Sequence, residues 1–224
     1  MSDLFSTAAV NMSPEDELSA LAARAASCTA CRLADTRQNV VFGEGNPRSP
    51  LVLVGEGPGE HEDASGRPFV GRAGACLDKA LNSFGVARSD VYICNIVKCR
   101  AFTTENGRAQ NRAPEADEIQ ACSRWLDAQL TTIRPRVICC LGSPAAKVII
   151  DRGFKITEMR GQFFRCRWAP WATAALHPAY VLRRMNEGFA DAEQQLREDL
   201  QKAWERAHEP AEAPPAETGQ LRLF

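Results

Sequence analysis

Leu51-Val52-Leu53-Val54 runs directly into Gly55-Glu56-Gly57-Pro58-Gly59, and the reading of this stretch decides the fold. Four consecutive apolar residues that end in glycines describe a strand buried on both faces. Such strands belong to parallel sheets covered by helices on each side. The remainder of the chain repeats the pattern. Residues 91–97 read as a second strand, Val137-Ile138-Cys139-Cys140-Leu141 as a third and residues 172–176 as a fourth, with a short extra strand over residues 163–166. Helical spacing occupies residues 71–84, 114–132 and 190–207, and Ser143-Pro144 opens one more helix. Ser13-Pro14-Glu15-Asp16 starts an N-terminal helix running to about Ser27, with Ser13 as cap and Pro14 in the first turn. Strands alternating with helices imply right-handed crossovers. The expectation is one α/β domain of three αβα layers around a central, mostly parallel four-stranded sheet. Its site is expected in the loops after the carboxyl ends of the strands.

The organisation that follows is a flexible N-terminus over residues 1–12, a domain over residues 13–207, and a tail over residues 208–224. Residues 208–219 are rich in Pro, Ala and Glu and cannot bury much, so they read as a flexible linker. With 45% apolar and 25% charged residues, the chain is neither wholly disordered nor a coiled coil. No apolar run approaches the roughly 20 residues that span a bilayer, and the start lacks the basic and apolar regions of a signal peptide. A monomer in the cytoplasm, away from membranes, is the expectation. The net charge of −1 conceals an uneven distribution: residues 187–224 carry nine acids and four bases. Residues 159–186 hold five arginines and no acid. A mildly basic body with an acidic end suits a polyanionic partner, and equally a solvated charged face.

Nine cysteines, an odd number without an export signal, argue against a disulfide framework. Cys28-Thr29-Ala30-Cys31 is a C-x2-C pair. Cys99 follows the second strand and Cys122 lies in the next helix, so these can join the pair only through the fold. Spacing leaves an iron–sulfur cluster, a zinc site, a redox pair and core cysteines open. Cys76, Cys94, Cys139, Cys140 and Cys166 sit in apolar contexts that suit packing, with Cys140 a weak competitor as a ligand.

Three further stretches complete the pattern: Gly55 to Gly74 as one glycine-rich loop, Asn95-Ile96-Val97-Lys98-Cys99-Arg100, and His177-Pro178-Ala179-Tyr180-Val181-Leu182-Arg183. With the cysteines, in this order, they resemble the uracil-DNA glycosylase superfamily, and within it family 4, the iron–sulfur uracil-DNA glycosylases. The resemblance spans roughly residues 25–203. It implies that Cys28, Cys31, Cys99 and Cys122 bind a [4Fe–4S] cluster. It implies an enzyme that flips uracil out of single- or double-stranded DNA and hydrolyses its N-glycosidic bond in base excision repair. A base inside a duplex is unreachable, so such an enzyme needs a pocket for the extruded nucleotide. Phe69 matches the aromatic that stacks on uracil, Asn95 the amide that reads its edge, and His177 the donor to uracil O2. The other readings of these residues are a core Phe, a turn cap and a structural His. Glu56 is the nearest carboxylate for the attacking water, since Gly57 supplies none. Glu62 matches a position beside the uracil ring, and the backbone at Gly55 could contact uracil or phosphate. Asp63 reads equally as a loop cap. Leu182 and Arg183 suit a wedge and cation at the flipped site, or the first turn of a helix. Lys98 and Arg100 are expected on loops braced against DNA, and residues 101–112 form a surface loop.

The last five residues, Gln220-Leu221-Arg222-Leu223-Phe224, resemble the pentapeptide with which bacterial repair proteins dock on the sliding β-clamp. Leu221, Leu223 and Phe224 would fill an apolar groove, with Gln220 leading the motif. Alternatively this end folds onto its own domain. Two other functions stay open: a catalytically weak relative that binds or traps uracil or abasic DNA, and an iron–sulfur redox or nucleotide-binding protein unrelated to DNA.

Overall fold

A computed structural model describes residues 12–184 and 188–210. The expected flexible N-terminus up to residue 11 and the tail motif Gln220 to Phe224 lie outside the described residues. Helix α1 (Pro14–Ala26) begins as its sequence requires: the Ser13 hydroxyl accepts from Asp16 N at 3.1 Å, and Pro14 occupies the first turn. The chain then forms a two-residue strand β1 (Glu44–Gly45), the buried strand β2 (Leu51–Gly55), a short helix α2 (Glu60–Ser65) and helix α3 (Arg72–Asn82). Strand β3 (Tyr92–Asn95) follows, then strands β4 (Phe102–Glu105) and β5 (Arg108–Asn111), then helix α4 (Ala116–Ile133). Strand β6 (Val137–Leu141), helices α5 (Ser143–Ile149) and α6 (Ile156–Met159), strand β7 (Trp171–Ala175), and helices α7 (Pro178–Arg183) and α8 (Phe189–His208) complete the described chain.

The main sheet has five strands in the order β1-β3-β2-β6-β7, not four. β2, β3, β6 and β7 are parallel, as expected; β1 adds itself antiparallel to the β3 edge through Glu44 opposite Ile93. A two-residue strand carries no periodicity of its own, so only the partner edge creates it. Residues 101–112 are likewise not a loop. They contain the β4–β5 hairpin, which turns at Asn106-Gly107 with both residues at positive φ. The strand expected over residues 163–166 reduces to a single bridge between Phe164 and Ala172.

Successive residues of β2 face opposite cores. Val52 and Val54 join the apolar cluster that includes α1 and α4 residues, while Leu51 and Leu53 join the cluster of α3 and α8. All four are wholly buried. Each contributes about 1.5–3 kcal/mol by leaving water, which is why an uninterrupted apolar run was required here. The order of strands matters for the site. From β2 the chain moves outward to β3, then returns past β2 to β6. The crossovers therefore diverge at β2, and a crevice opens at the carboxyl ends of the parallel strands. Gly55, Asn95 and His177 all stand at or just beyond those ends.

Candidate active site and cysteine cavity

A cleft of about 520 Å³ occupies that crevice, lined among others by Glu56, Glu62, Phe69, Asn95, His177 and Arg183. Segments more than 100 residues apart in the chain thus meet in one place. Gly55 lies beneath the centre. A Cβ there would come within 2.4 Å of Asn95 Oδ1 and 2.6 Å of the Phe69 ring, so only glycine lets the loop pass.

Phe69 is buried and has a φ of +50°, a backbone region that costs a non-glycine residue about 1–3 kcal/mol. Its ring lies 5.7 Å from the His177 ring, tilted by 34°. Asn95 is 1% exposed, and its Oδ1 is buried without a hydrogen-bond partner. An orphaned buried acceptor is costly, and in a cleft it marks a place for a donor from outside. Behind it, the buried Lys98 ammonium donates to the Asn95 carbonyl at 2.7 Å and to Gln129 Oε1. Lys98 therefore points into the protein. It cannot reach DNA; it supports the strand end that carries Asn95.

His177 caps α7, with its Nδ1 accepting from Ala179 N at 3.1 Å. That bond leaves the ring proton on Nε2, the nitrogen free to donate. Burial first, and then the Arg183 charge, lower its pKa to about 4. The imidazole is therefore neutral at physiological pH. Burial raises the Glu56 carboxyl above its usual range. Gly57 next to it has no room for a side chain, because a Cβ would meet Val97 Cγ2 at 2.8 Å. A larger residue here would have to displace the Val97 side chain, and Glu56 is the acid present at that point of the loop.

Glu62 lines the cleft, but both its oxygens are engaged. Oε1 accepts from Val70 N at 3.0 Å and Gly71 N at 3.1 Å, and Oε2 from Gly59 N at 3.1 Å. It ties the glycine-rich loop to the loop of Phe69. Asp63 is buried and caps Gln38 N at 3.0 Å. Arg100 is also buried: Nε donates to Asn111 Oδ1 at 2.8 Å and the guanidinium stacks on Phe102 at 4.8 Å. It fastens the hairpin to the cleft wall. Leu182 does not line the cleft; it packs half-buried on the α3/α8 core, and Arg183 alone of the pair reaches the opening. The large apolar side chains left exposed near the opening are Val70 and Tyr180. Sequence reasoning missed Asn111 and Tyr180 as cleft residues. The Asn-Gly turn at 106–107 would have announced the hairpin that delivers Asn111.

Cys28, Cys31, Cys99 and Cys122 line a second, small cavity among α1, α4 and the loop after β3. Among the described residues, no three His, Cys, Asp or Glu side chains close on a point that would hold a single ion. The four thiols line this one small cavity together. Hydrogen-bond donors reach the sulfurs of Cys122 and Cys28. Lys98 N donates to Cys122 Sγ at 3.2 Å, Trp125 Nε1 to Cys28 Sγ at 3.3 Å and Arg124 to Cys28 Sγ at 3.1 Å. Burial pushes the Cys28 thiol up, yet the Ala30 amide, Trp125 and Arg124 hold it below its usual value. Burial drives Cys99 up to about 11 and raises Cys122 as well. A cationic centre among them is what would keep these thiolates ionised. Cys140 lies wholly buried in β6, away from this cavity.

Comparison with known proteins gives a consistent result. The profile of the family described as the uracil DNA glycosylase superfamily matches residues 42–206. The chain is 44% identical over 175 residues to a type-4 uracil-DNA glycosylase of Thermotoga maritima, covering 77% of this chain and 88% of that protein. It is 42% identical over 165 residues to the type-4 uracil-DNA glycosylase of Archaeoglobus fulgidus, covering 70% and 79%. It is 38% identical over 179 residues to that of Sulfurisphaera tokodaii, covering 76% and 78%.

Proposed function

Because the chain belongs to the uracil-DNA glycosylase superfamily, we propose that the cleft performs that chemistry with the residues that meet in it. The protein is a DNA glycosylase, a hydrolase that releases uracil from DNA and leaves an abasic site for repair. The observation that carries the site reading is the orphaned Oδ1 of Asn95 at the floor of a cleft shared with Phe69 and His177.

An extruded uracil stacks on Phe69. Asn95 accepts from uracil N3–H through Oδ1 and donates to O4 through Nδ2. Cytosine carries no N3–H and an amino group in place of O4, so the same amide rejects it. The bond from C1′ to N1 then breaks, and its electron pair moves onto the base as the sugar becomes oxocarbenium-like. His177 donates from Nε2 to O2, where that charge collects. A neutral, fixed donor suits an oxyanion better than a mobile imidazolium, because it needs no reorganisation. Glu56 orients water on the opposite side of the sugar. Water oxygen bonds to C1′, and its proton passes to the carboxylate, which burial has made a stronger base. Arg183 at the opening meets a phosphate.

Cys28, Cys31, Cys99 and Cys122 fit a [4Fe–4S] cluster, which supplies a cross-link between α1, α4 and the loop after β3 when bound. Hydrolysis moves no electron, so the cluster's work is structural. We also infer that the Gln220–Phe224 motif tethers the enzyme to a sliding clamp; a chain truncated after residue 219 should lose clamp binding in a pull-down and keep its excision rate.

The site reading is tested by a time course on a uracil-containing oligonucleotide. Asn95→Ala, His177→Ala and Glu56→Gln should each slow release by about 100-fold or more. Unchanged rates in all three refute the site. A stable complex with the wild type and no free uracil would favour a trapping protein instead.

A further inference from the structure

We propose that Arg88 is a positioning residue for the base-stacking Phe69: it holds the ring in the cleft by binding the backbone behind it. This inference rests on the stacking reading of Phe69 above. Arg88 sits in the turn before β3, outside the cleft lining. Its guanidinium donates to two successive carbonyls, Pro68 O and, at 3.2 Å, Phe69 O. The same group is oriented by two carboxylates, Glu44 Oε1 at 2.7 Å and Asp78 Oδ1 at 3.1 Å. One comes from β1 and the other from α3, so the fork is fixed from two elements before it touches the loop.

The loop needs such a hold. Phe69 lies at φ +50°, which an L-residue leaves unless its surroundings prevent it. On one side Glu62 accepts from the two amides that follow, Val70 N and Gly71 N. On the other side Arg88 grips the two carbonyls up to and including Phe69. Gly74 lets this happen: a Cβ there would lie 1.8 Å from the Phe69 oxygen, so α3 approaches the carbonyl as no other residue permits. The amides are thus held by an anion and the carbonyls by a cation, with the strained residue between. Glu44 also takes Arg67 at 2.7 Å, which anchors the loop's entry to the same carboxylate. Released from Arg88, the peptide around Phe69 can rotate toward ordinary φ and swing the ring off the uracil plane.

The test uses the full chain, a uracil oligonucleotide for single-turnover excision and an abasic oligonucleotide for DNA affinity. Arg88→Met should slow excision about tenfold, equivalent to about 1.4 kcal/mol, and leave abasic-site affinity within about twofold. In a Phe69→Ala background the same change should cost less than about twofold, because nothing remains to position. Losses that multiply in the double variant, or a parallel fall in abasic affinity, overturn the proposal. A Phe69→Ala variant that excises at the wild-type rate overturns the stacking reading instead. Should Arg88→Met not fold, Arg88→Lys decides: it keeps the charge facing Glu44 and Asp78 but loses the two-carbonyl fork. Slowed excision that tracks no loss of abasic affinity supports the proposal, and full activity refutes it.

Discussion

Lowering the pH from 7 to 5 should leave His177 uncharged, and the excision rate should carry no histidine inflection in that range. The magnitude comes from the site. Burial, with a smaller effect of the Arg183 charge, brings the ring from the ordinary 6.5 to about 4. The Ala179 amide donating to Nδ1 at 3.1 Å would be displaced by a second ring proton, which works in the same direction. Glu56 also faces the cleft, and burial raises its carboxyl. An acid limb in the wild-type profile is therefore that of Glu56, and it should vanish in Glu56→Gln while the residual rate stays flat to about pH 5. The assay is single-turnover release of uracil from a single-stranded oligonucleotide at constant ionic strength. Stability gives an independent reading. Between about pH 6.5 and 4 the unfolded chain takes up a proton at this position and the folded chain does not. Stability is unaffected above 6.5 and falls as the pH drops through that window, by on the order of 3 kcal/mol for the full displacement. Urea midpoints of wild type and His177→Gln should therefore converge toward acid. An excision inflection near 6.5 that persists in Glu56→Gln would refute the neutral-donor mechanism.

Two other perturbations separate the structural parts. Cys122→Ser should remove iron, acid-labile sulfide and visible absorbance from the purified protein, and Cys140→Ser should remove none of them; the reverse result would misplace the cluster. Glu118 is a wholly buried carboxylate that meets Arg32 at 2.8 Å and Arg112 at 2.6 Å; the Arg112 hydrogen bond is the largest effect holding its pKa down at about 2. Glu118→Ala removes the buried carboxylate that Arg32 and Arg112 share and leaves them only their outer partners Glu115 and Asp117, so it should destabilise folding by about 2 kcal/mol in urea at pH 7. The Glu118 contribution is present above pH 4.5 and is lost as the pH falls toward 2, so wild type and variant should converge in acid.

How far the chain could be read in advance follows from what each element needs. The four parallel strands are legible because burial on both faces demands an unbroken apolar run, as in Leu51–Val54 and Val137–Leu141. β1 is not legible, since two residues beside an existing edge need no pattern. The β4–β5 hairpin failed for another reason: β5 is exposed along its whole length and β4 after its first residue, so no alternation marks them. Its hold on the domain is side-chain chemistry, Arg100 to Asn111 and Arg112 to Glu118. The same distinction runs through the site. Loop motifs at strand ends single out Phe69, Asn95 and His177, which the structure brings into one cleft. The cations around the cleft are not legible in this way, because a sequence reading puts Lys98, Arg88 and Arg100 in water. Here each is turned inward to oxygens: Lys98 to the Asn95 carbonyl, Arg88 to Pro68 and Phe69, Arg100 to Asn111. A loop that must keep an orphaned acceptor and a strained φ has backbone carbonyls that no helix or sheet can satisfy. Lys98, buried, and Arg88, half-buried, satisfy them, so these two side chains are placed by the needs of the cleft, and only the folded arrangement reveals those needs.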